Sequence, residues 1–162
     1  MRARVIVASD RAAAGTYDDR SGPLAAEGLR SMGFEVDQVV VVPDGHPVAA
    51  AVHSAVASGC VLVVTTGGTG IGPRDLTPDV VAPLFDKDLP HLAAAVAARG
   101  VANGVPTAAL SRGVAGTIRH TLVVCLPGST GGVRDGLEVL RDVAPHAVAQ
   151  LAGGDHPLAH DG

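Results

Sequence analysis

One stretch gathers most of the residues that could do chemistry: Val61-Leu62-Val63-Val64-Thr65-Thr66-Gly67-Gly68-Thr69-Gly70-Ile71-Gly72-Pro73-Arg74-Asp75-Leu76-Thr77-Pro78-Asp79. It reads as a buried strand, a glycine-rich turn and a capped helix start, an order that builds anion sites. Glycines let backbone N–H groups approach phosphate oxygens, the free amides of a helix start add partial positive charge, and ligands of open α/β sheets bind beyond the carboxyl ends of strands. Thr66, Gly67, Gly68, Thr69 and Gly70 are therefore expected to meet a ligand phosphate, the alternative being a merely tight strand-to-helix turn. The two common phosphate loops do not fit. A Walker-type loop counted from Gly67 reaches Gly72 but then meets Pro73 where lysine is required, and a dinucleotide fingerprint counted from Gly68 finds Gly70 but meets Pro73 at its third glycine.

Other polar groups fall after predicted strands and are expected at the same edge. Ser9, Asp10 and Arg11 follow the first strand, Asp44 follows the second, and Asp75 lies in the glycine segment. Asp44 also reads as a turn former in Pro43-Asp44-Gly45, and Asp75 as a surface acid. Arg74 and Arg112 are the cations expected near phosphates, since guanidinium forks match phosphate oxygens; the other reading of each is a solvated charge. Pro127-Gly128-Ser129 follows a strand and opens a helix, giving a second anion-binding terminus unless Ser129 is only a cap. Asp79 reads as a helix-dipole residue. The histidines are dispersed, and His156 with His160 lacks a supporting cage of carboxylates, so no zinc site is expected.

The elements that must position these groups read as one α/β layered domain over 1–152, with 153–162 as a frayed tail. Strands are expected near Val5–Ser9, Val36–Val42, Cys60–Thr66 and Thr121–Leu126, with a weaker candidate at Pro106–Ser111. Between them, Ser21 is expected to cap a helix with Leu24, Gly28, Leu29 and Met32 on one face; Pro47 opens a second with Val48, Val52 and Val56. Thr77-Pro78-Asp79, with Thr77 as the capping hydroxyl, launches a helix over Val80–Phe85, another runs from Pro90 to Arg99, and a last from about Ser129 to Leu140, continuing past Pro145 to Leu151. The chain, at 162 residues, can bury a sizeable core, built from aliphatic side chains because aromatics are only 2%.

Charge narrows the partners. A net charge of −4 argues against nucleic acid and anionic membrane, both of which need a basic patch. Cys60 and Cys125 sit in or beside apolar runs without zinc or redox spacing and are expected as buried thiols. The apolar run after the basic start, Val5 to Ala8, is too short for a signal peptide, and no stretch approaches a membrane span, so a soluble cytoplasmic protein is expected.

The glycine segment, with Arg74-Asp75 and Thr77-Pro78-Asp79, resembles the signature of the Mog/MoaB family of molybdenum cofactor biosynthesis proteins. Ser9-Asp10-Arg11 with Gly15 and Asp18, Pro43-Asp44, Val105-Pro106-Thr107, Leu110-Ser111-Arg112 and Leu126-Pro127-Gly128-Ser129 recur in the same order in that family, so the resemblance covers residues 4 to 152. It implies a three-layer fold, an open and mostly parallel sheet with helices on both faces. It further implies a molybdopterin adenylyltransferase that uses ATP and Mg²⁺, with Asp44 and Asp75 in the positions that carry metal and catalysis, and Ser9, Asp10, Arg11, Thr66 to Gly70, Arg74, Ser111, Arg112 and Pro127 to Ser129 around the substrates. A homotrimer and handover of the product to a molybdate-insertion enzyme are implied in the same way. Around Pro90-His91-Leu92-Ala93-Ala94 the sequence departs from relatives that carry a glycine after the proline and a glutamate near position 94. A non-catalytic pterin-binding scaffold of the same fold is the alternative, and an unrelated nucleotide-binding module is disfavoured by the failed phosphate-loop patterns.

Overall fold

The structure, a computed structural model, describes residues 1–154. In chain order it runs β1 (Arg2–Ala8), the short helix α1 (Asp10–Ala13), α2 (Ser21–Ser31), β2 (Glu35–Val42), α3 (His46–Ala57), β3 (Leu62–Thr66) and α4 (Thr77–Val81). A 3₁₀ turn over Ala82–Leu84 leads to β4 (Lys87–Asp88) and α5 (Pro90–Ala102). A second 3₁₀ turn, Pro106–Leu110, precedes the hairpin of β5 (Ala115–Ile118) and β6 (Thr121–Leu126), and α6 (Thr130–Leu151) follows. Of the expected tail over 153–162, residues 155–162 lie outside the described part.

The described strands form one sheet in the order β2-β1-β3-β6-β5-β4. The first three neighbour pairs are parallel, while β5 runs antiparallel to β6 and β4 to β5. Strand side chains alternate between faces, so the central strands feed two cores. Val5, Leu62, Val64, Leu122, Val124 and Leu126 face α2, α5 and α6. Ile6, Val63, Val123 and Cys125 face α3 and α4. The fold is thus the three-layer, mostly parallel α/β arrangement expected. Leu29, Leu62, Leu122, Leu126 and Leu140 are wholly buried, each contributing about 1.5–3 kcal/mol relative to an exposed position. Cys125 belongs to this core, and burial pushes its thiol up to about 12.

Helix packing depends on small residues at two crossings. A Cβ on Gly28 of α2 would lie 2.5 Å from Leu137 of α6, and one on Gly136 would lie 2.5 Å from Leu126. α6 therefore sits close to both α2 and the sheet, and it continues unbroken through Pro145.

Three sequence expectations are corrected. Pro106–Ser111 is not a strand: Pro106, which has no N–H to give a ladder, begins the 3₁₀ turn, closed by Ala108 N–H to Val105 O at 2.9 Å and Ser111 N–H to Ala108 O at 3.1 Å. The sheet position next to β6 belongs instead to β5, where Gly116 leaves room for the Phe85 ring. Neither Ser21 nor Thr77 caps its helix. Both are the first helical residue, and the N–H groups of Ser21 and Gly22 are taken by Asp19 at 2.9 and 3.1 Å.

Candidate functional site

The parallel strands β1, β2, β3 and β6 end together, and each hands over to a loop carrying predicted site residues. The order reverses at β1, whose two neighbours are reached by connections on opposite faces, and such a switch point opens a crevice at the carboxyl edge. Gly67 marks its floor. With φ of 92° it turns out of β3 so tightly that a Cβ would sit 2.3 Å from the carbonyl oxygen of Ala8 at the end of β1. Only glycine permits that approach.

Three cavities adjoin along this edge. The first, 480 Å³, is bounded by Ser9, Arg11, Thr66, Gly67, Gly128 and Ser129, with Tyr17, Asp19, Arg20 and Ser21 from the α1–α2 connection. The second, 500 Å³, takes Gly67 through Gly70, Asp75, Ser111 and Pro127 through Ser129, with Ile71, Val105 and Leu110 making it more apolar. A 140 Å³ cavity bounded by Ser9, Asp10, Arg11, Asp44, Gly68, Arg74 and Asp75 shares wall residues with both. Volumes near 500 Å³ suit ligands of nucleotide size. Every predicted site residue except Arg112 borders at least one of the three.

The two predicted metal carboxylates meet in the small cavity but are held differently. Asp44 Oδ1 accepts from Gly45 N–H at 2.6 Å and from the Thr77 hydroxyl at 2.9 Å, and Oδ2 accepts from Leu76 N–H at 3.1 Å. It is therefore the cap of α4, supplied from across the sheet. Asp75 accepts one protein hydrogen bond, Gly72 N–H to Oδ2 at 2.9 Å. Its Oδ1 has no protein partner among the described residues. Asp10 steadies the cluster by accepting from Asp44 N–H at 3.1 Å. Arg74 borders the same cavity, exposed and without a hydrogen-bonding or ionic partner among the described residues.

The remaining predicted groups divide between scaffold and wall. Ser9 caps α1 through Ala12 N–H at 3.2 Å, and Ser129 caps α6 through Gly132 N–H at 3.0 Å. Both still border a cavity while capping their helices. Arg11 lies 4.9 Å from the Tyr17 ring centroid. Ser111 donates to Thr69 Oγ1 at 3.3 Å, tying the 3₁₀ turn to the glycine loop. Arg112, predicted beside phosphate, points elsewhere: its guanidinium is taken up by Gly70 O, Asp75 O and the Asp79 carboxylate. That hydrogen-bonded pairing lowers the Asp79 carboxyl below its usual value and raises Arg112.

Residues that sequence reasoning passed over also line the site. Asp135 is buried on the inner face of α6, borders the second cavity, and accepts from Asn103 Nδ2 at 2.6 Å. A single acid within the apolar face of Val133, Gly136, Leu137 and Leu140 was the available signal. Tyr17 and Asp19 belong to a connection without periodicity, and nothing in their spacing marks them.

Comparison with known proteins places the chain in a family and agrees with the fold. Residues 4–146 match the family described as "Probable molybdopterin binding domain". A molybdenum cofactor biosynthesis bifunctional protein of Chlorobaculum tepidum is 44% identical over 96% of this chain, which spans half of that relative's length. The molybdopterin adenylyltransferase of Pyrococcus furiosus is 39% identical over 88% of this chain and 86% of its own. The solved molybdopterin biosynthesis Mog protein of Mycobacterium ulcerans superposes with a TM-score of 0.87 at 48% identity, covering 94% of this chain and 97% of that one. With the family match covering the strand ends, the glycine loop and the start of α6, this chain belongs to the Mog/MoaB family of molybdenum cofactor biosynthesis proteins.

Proposed function

We propose that the protein adenylylates molybdopterin: an oxygen of the pterin's terminal phosphate attacks the α-phosphorus of ATP, the bond to the β-phosphate oxygen breaks, and pyrophosphate leaves. The observation that carries this reading is the small cavity in which Asp44, Asp75 and Arg74, unpartnered among the described residues, meet, adjoining two larger cavities that share the Gly67 and Gly128 wall. Two substrates of similar size, joined through phosphates, fit two cavities joined through a charged centre. Relatives named for molybdopterin adenylyltransferase activity supply the substrate class.

The residues present suit a Mg²⁺ ion. This cation keeps several waters and is usually held by one or two carboxylates together with substrate phosphates. Asp75 offers an oxygen with no protein donor, and Asp44 faces the same cavity; among the described residues there is no larger cluster of metal-binding side chains. A bound ion would offset charge on the triphosphate and on the departing pyrophosphate.

The chain's own groups do the rest. Backbone N–H groups of the Gly68–Gly70 turn and of the α6 start meet phosphate oxygens, so the α-phosphorus is held between the two cavities rather than in bulk water. Arg74 supplies a mobile cation for phosphate oxygens. Ser129 supplies a hydroxyl at the shared wall and Thr69 one in the second cavity. Residues 1–152 act as one domain in this reading, the assembly is a homotrimer, the setting is the cytoplasm, and the product passes to a molybdate-insertion enzyme. No helix among the described residues is long and apolar enough to cross a membrane.

A binding-only role draws on one observation, the full use of Asp44 as a helix cap. Transfer of label from α-labelled ATP to molybdopterin with Mg²⁺ decides between the two. Label on the pterin with the native protein, and none with Asp75→Ala although the pterin still binds, is the expected result. Pterin binding with no transfer by the native protein would establish the binding-only role, and transfer by Asp75→Ala at the native rate would remove Asp75 from the mechanism.

A further inference from the structure

We propose that Arg112 is a positioning residue for the catalytic loop, fixing the segment that carries Asp75 rather than touching phosphate. Its consequence for catalysis rests on the adenylyl-transfer reading; its effect on the loop does not.

The geometry is specific. Nε of Arg112 donates to Gly70 O at 2.9 Å, and Nη2 donates to Asp75 O at 2.6 Å. One planar group thus grips both ends of the segment 70–75. Nη1 and Nη2 also donate to the two Asp79 carboxylate oxygens at 3.1 and 2.9 Å, joining the loop to the first turn of α4. The Arg112 backbone N–H donates to Thr69 O at 2.8 Å, so the residue is itself fixed to the glycine turn.

Without this clamp the segment holds itself only locally, through Asp75 N–H to Gly72 O at 3.1 Å and Gly72 N–H to Asp75 Oδ2 at 2.9 Å. Ile71 is 70% exposed, and Pro73 and Arg74 face solvent, so no apolar packing orders it. The Asp75 carboxylate and the Gly70 backbone then owe their placement to Arg112. The fork also explains the residue type: donors pointing in several fixed directions in one plane are available from guanidinium and not from ammonium.

The test uses the full chain with Arg112→Ala and Arg112→Lys. Amide hydrogen exchange, read by NMR, is expected to quicken at Gly72 and Asp75 in both variants by about tenfold or more, the scale of one lost charged hydrogen bond. Exchange at Val64 in β3 stays as in the native protein. In adenylyl transfer, kcat falls while the dissociation constant for molybdopterin holds, and millimolar methylguanidine restores part of the Arg112→Ala rate. Unchanged exchange at Gly72 and Asp75 would overturn the proposal. So would a raised KM for ATP at an unchanged kcat, which marks a phosphate contact, or faster exchange at Val64 in both variants, which marks general loss of structure. If the native protein transfers no adenylyl group, the functional reading fails, and the exchange result still decides the role of Arg112.

Discussion

Asp44 and Asp75 occupy one cavity, yet their removal should have unequal consequences for stability. In Asp44→Ala the buried Thr77 hydroxyl and the Leu76 N–H lose their acceptor, and both lie more than thirty residues away in sequence, so the loss is tertiary. Hydrogen bonds to a charged group are worth about 1.5–3 kcal/mol, and losing a helix cap costs about 0.5–2 kcal/mol. Asp44 is half-exposed, which places the sum near the lower end, about 2–3 kcal/mol. For a chain of this length that is a fall in Tm of roughly 5–10 °C. Asp75→Ala removes a single local bond to Gly72 N–H, worth about 1 kcal/mol or less. Urea titration separates the two: the midpoint should fall clearly for Asp44→Ala and little for Asp75→Ala, with the slope unchanged in both. An Asp44→Ala midpoint within about 0.5 kcal/mol of native, the usual scatter for surface changes, would refute the cap argument. Equal losses for the two variants would refute the distinction between them.

Two further expectations follow from the same loop. Gly68 has φ of 65°, and a Cβ there would lie 2.2 Å from Asp44 Oδ2 and 2.4 Å from Thr77 Oγ1; Gly68→Ala should cost about 1–2 kcal/mol for the left-handed backbone and more for the displaced cap. Thermal unfolding should place it at or below Asp44→Ala, and a Tm equal to native would show that the loop shifts freely. Asp79 has its carboxyl lowered chiefly by the hydrogen bond from Arg112. Its contribution to stability is therefore present above the usual 3.8 and is lost as pH falls through the lower folded value. NMR titration of the Asp79 carboxyl carbon should give a midpoint below 3.8 in the native protein and a return toward that value in Arg112→Ala; identical midpoints would deny the pairing in solution.

The parallel half of the fold was legible because β1, β2, β3 and β6 are runs of β-branched residues bounded by glycine or polar turns. The antiparallel edge was not. β5 is four residues, Ala115-Gly116-Thr117-Ile118, with a glycine whose purpose, room for Phe85, exists only after folding. β4 is two residues and has no signal at all. Pro106–Leu110 resembled a weak strand because Val105 and Leu110 frame it, but proline at its start favours a turn closed by local hydrogen bonds. In the site, the glycine segment and the strand-end polar residues were readable because the sheet's carboxyl edge gathers them whatever the side chains do. The partners of Arg112 were not legible, because its charge suggested a phosphate while the carbonyls it holds are contributed by a chain segment about forty residues away.

The errors at the helix starts have a common origin that bears on function. Ser21 and Thr77 carry the right hydroxyls for caps, yet in both cases a carboxylate acts at the helix start instead, Asp19 on the Ser21 and Gly22 amides of α2 and Asp44 on the Leu76 amide just before α4. The displaced hydroxyls reach toward the strand ends: Ser21 Oγ shares a hydrogen bond with Thr66 Oγ1 at 2.8 Å, and Thr77 donates to Asp44. Asp19, Ser21, Thr66 and Asp44 all border a cavity at the same time. The polar groups at this edge therefore hold the layers together while bordering the cavities. Ligand binding should then tighten the starts of α2 and α4, and most substitutions here will mix stability with function. Asp75, held by one local bond and aimed by Arg112, is the group at which the two separate, which is why its replacement is the informative one.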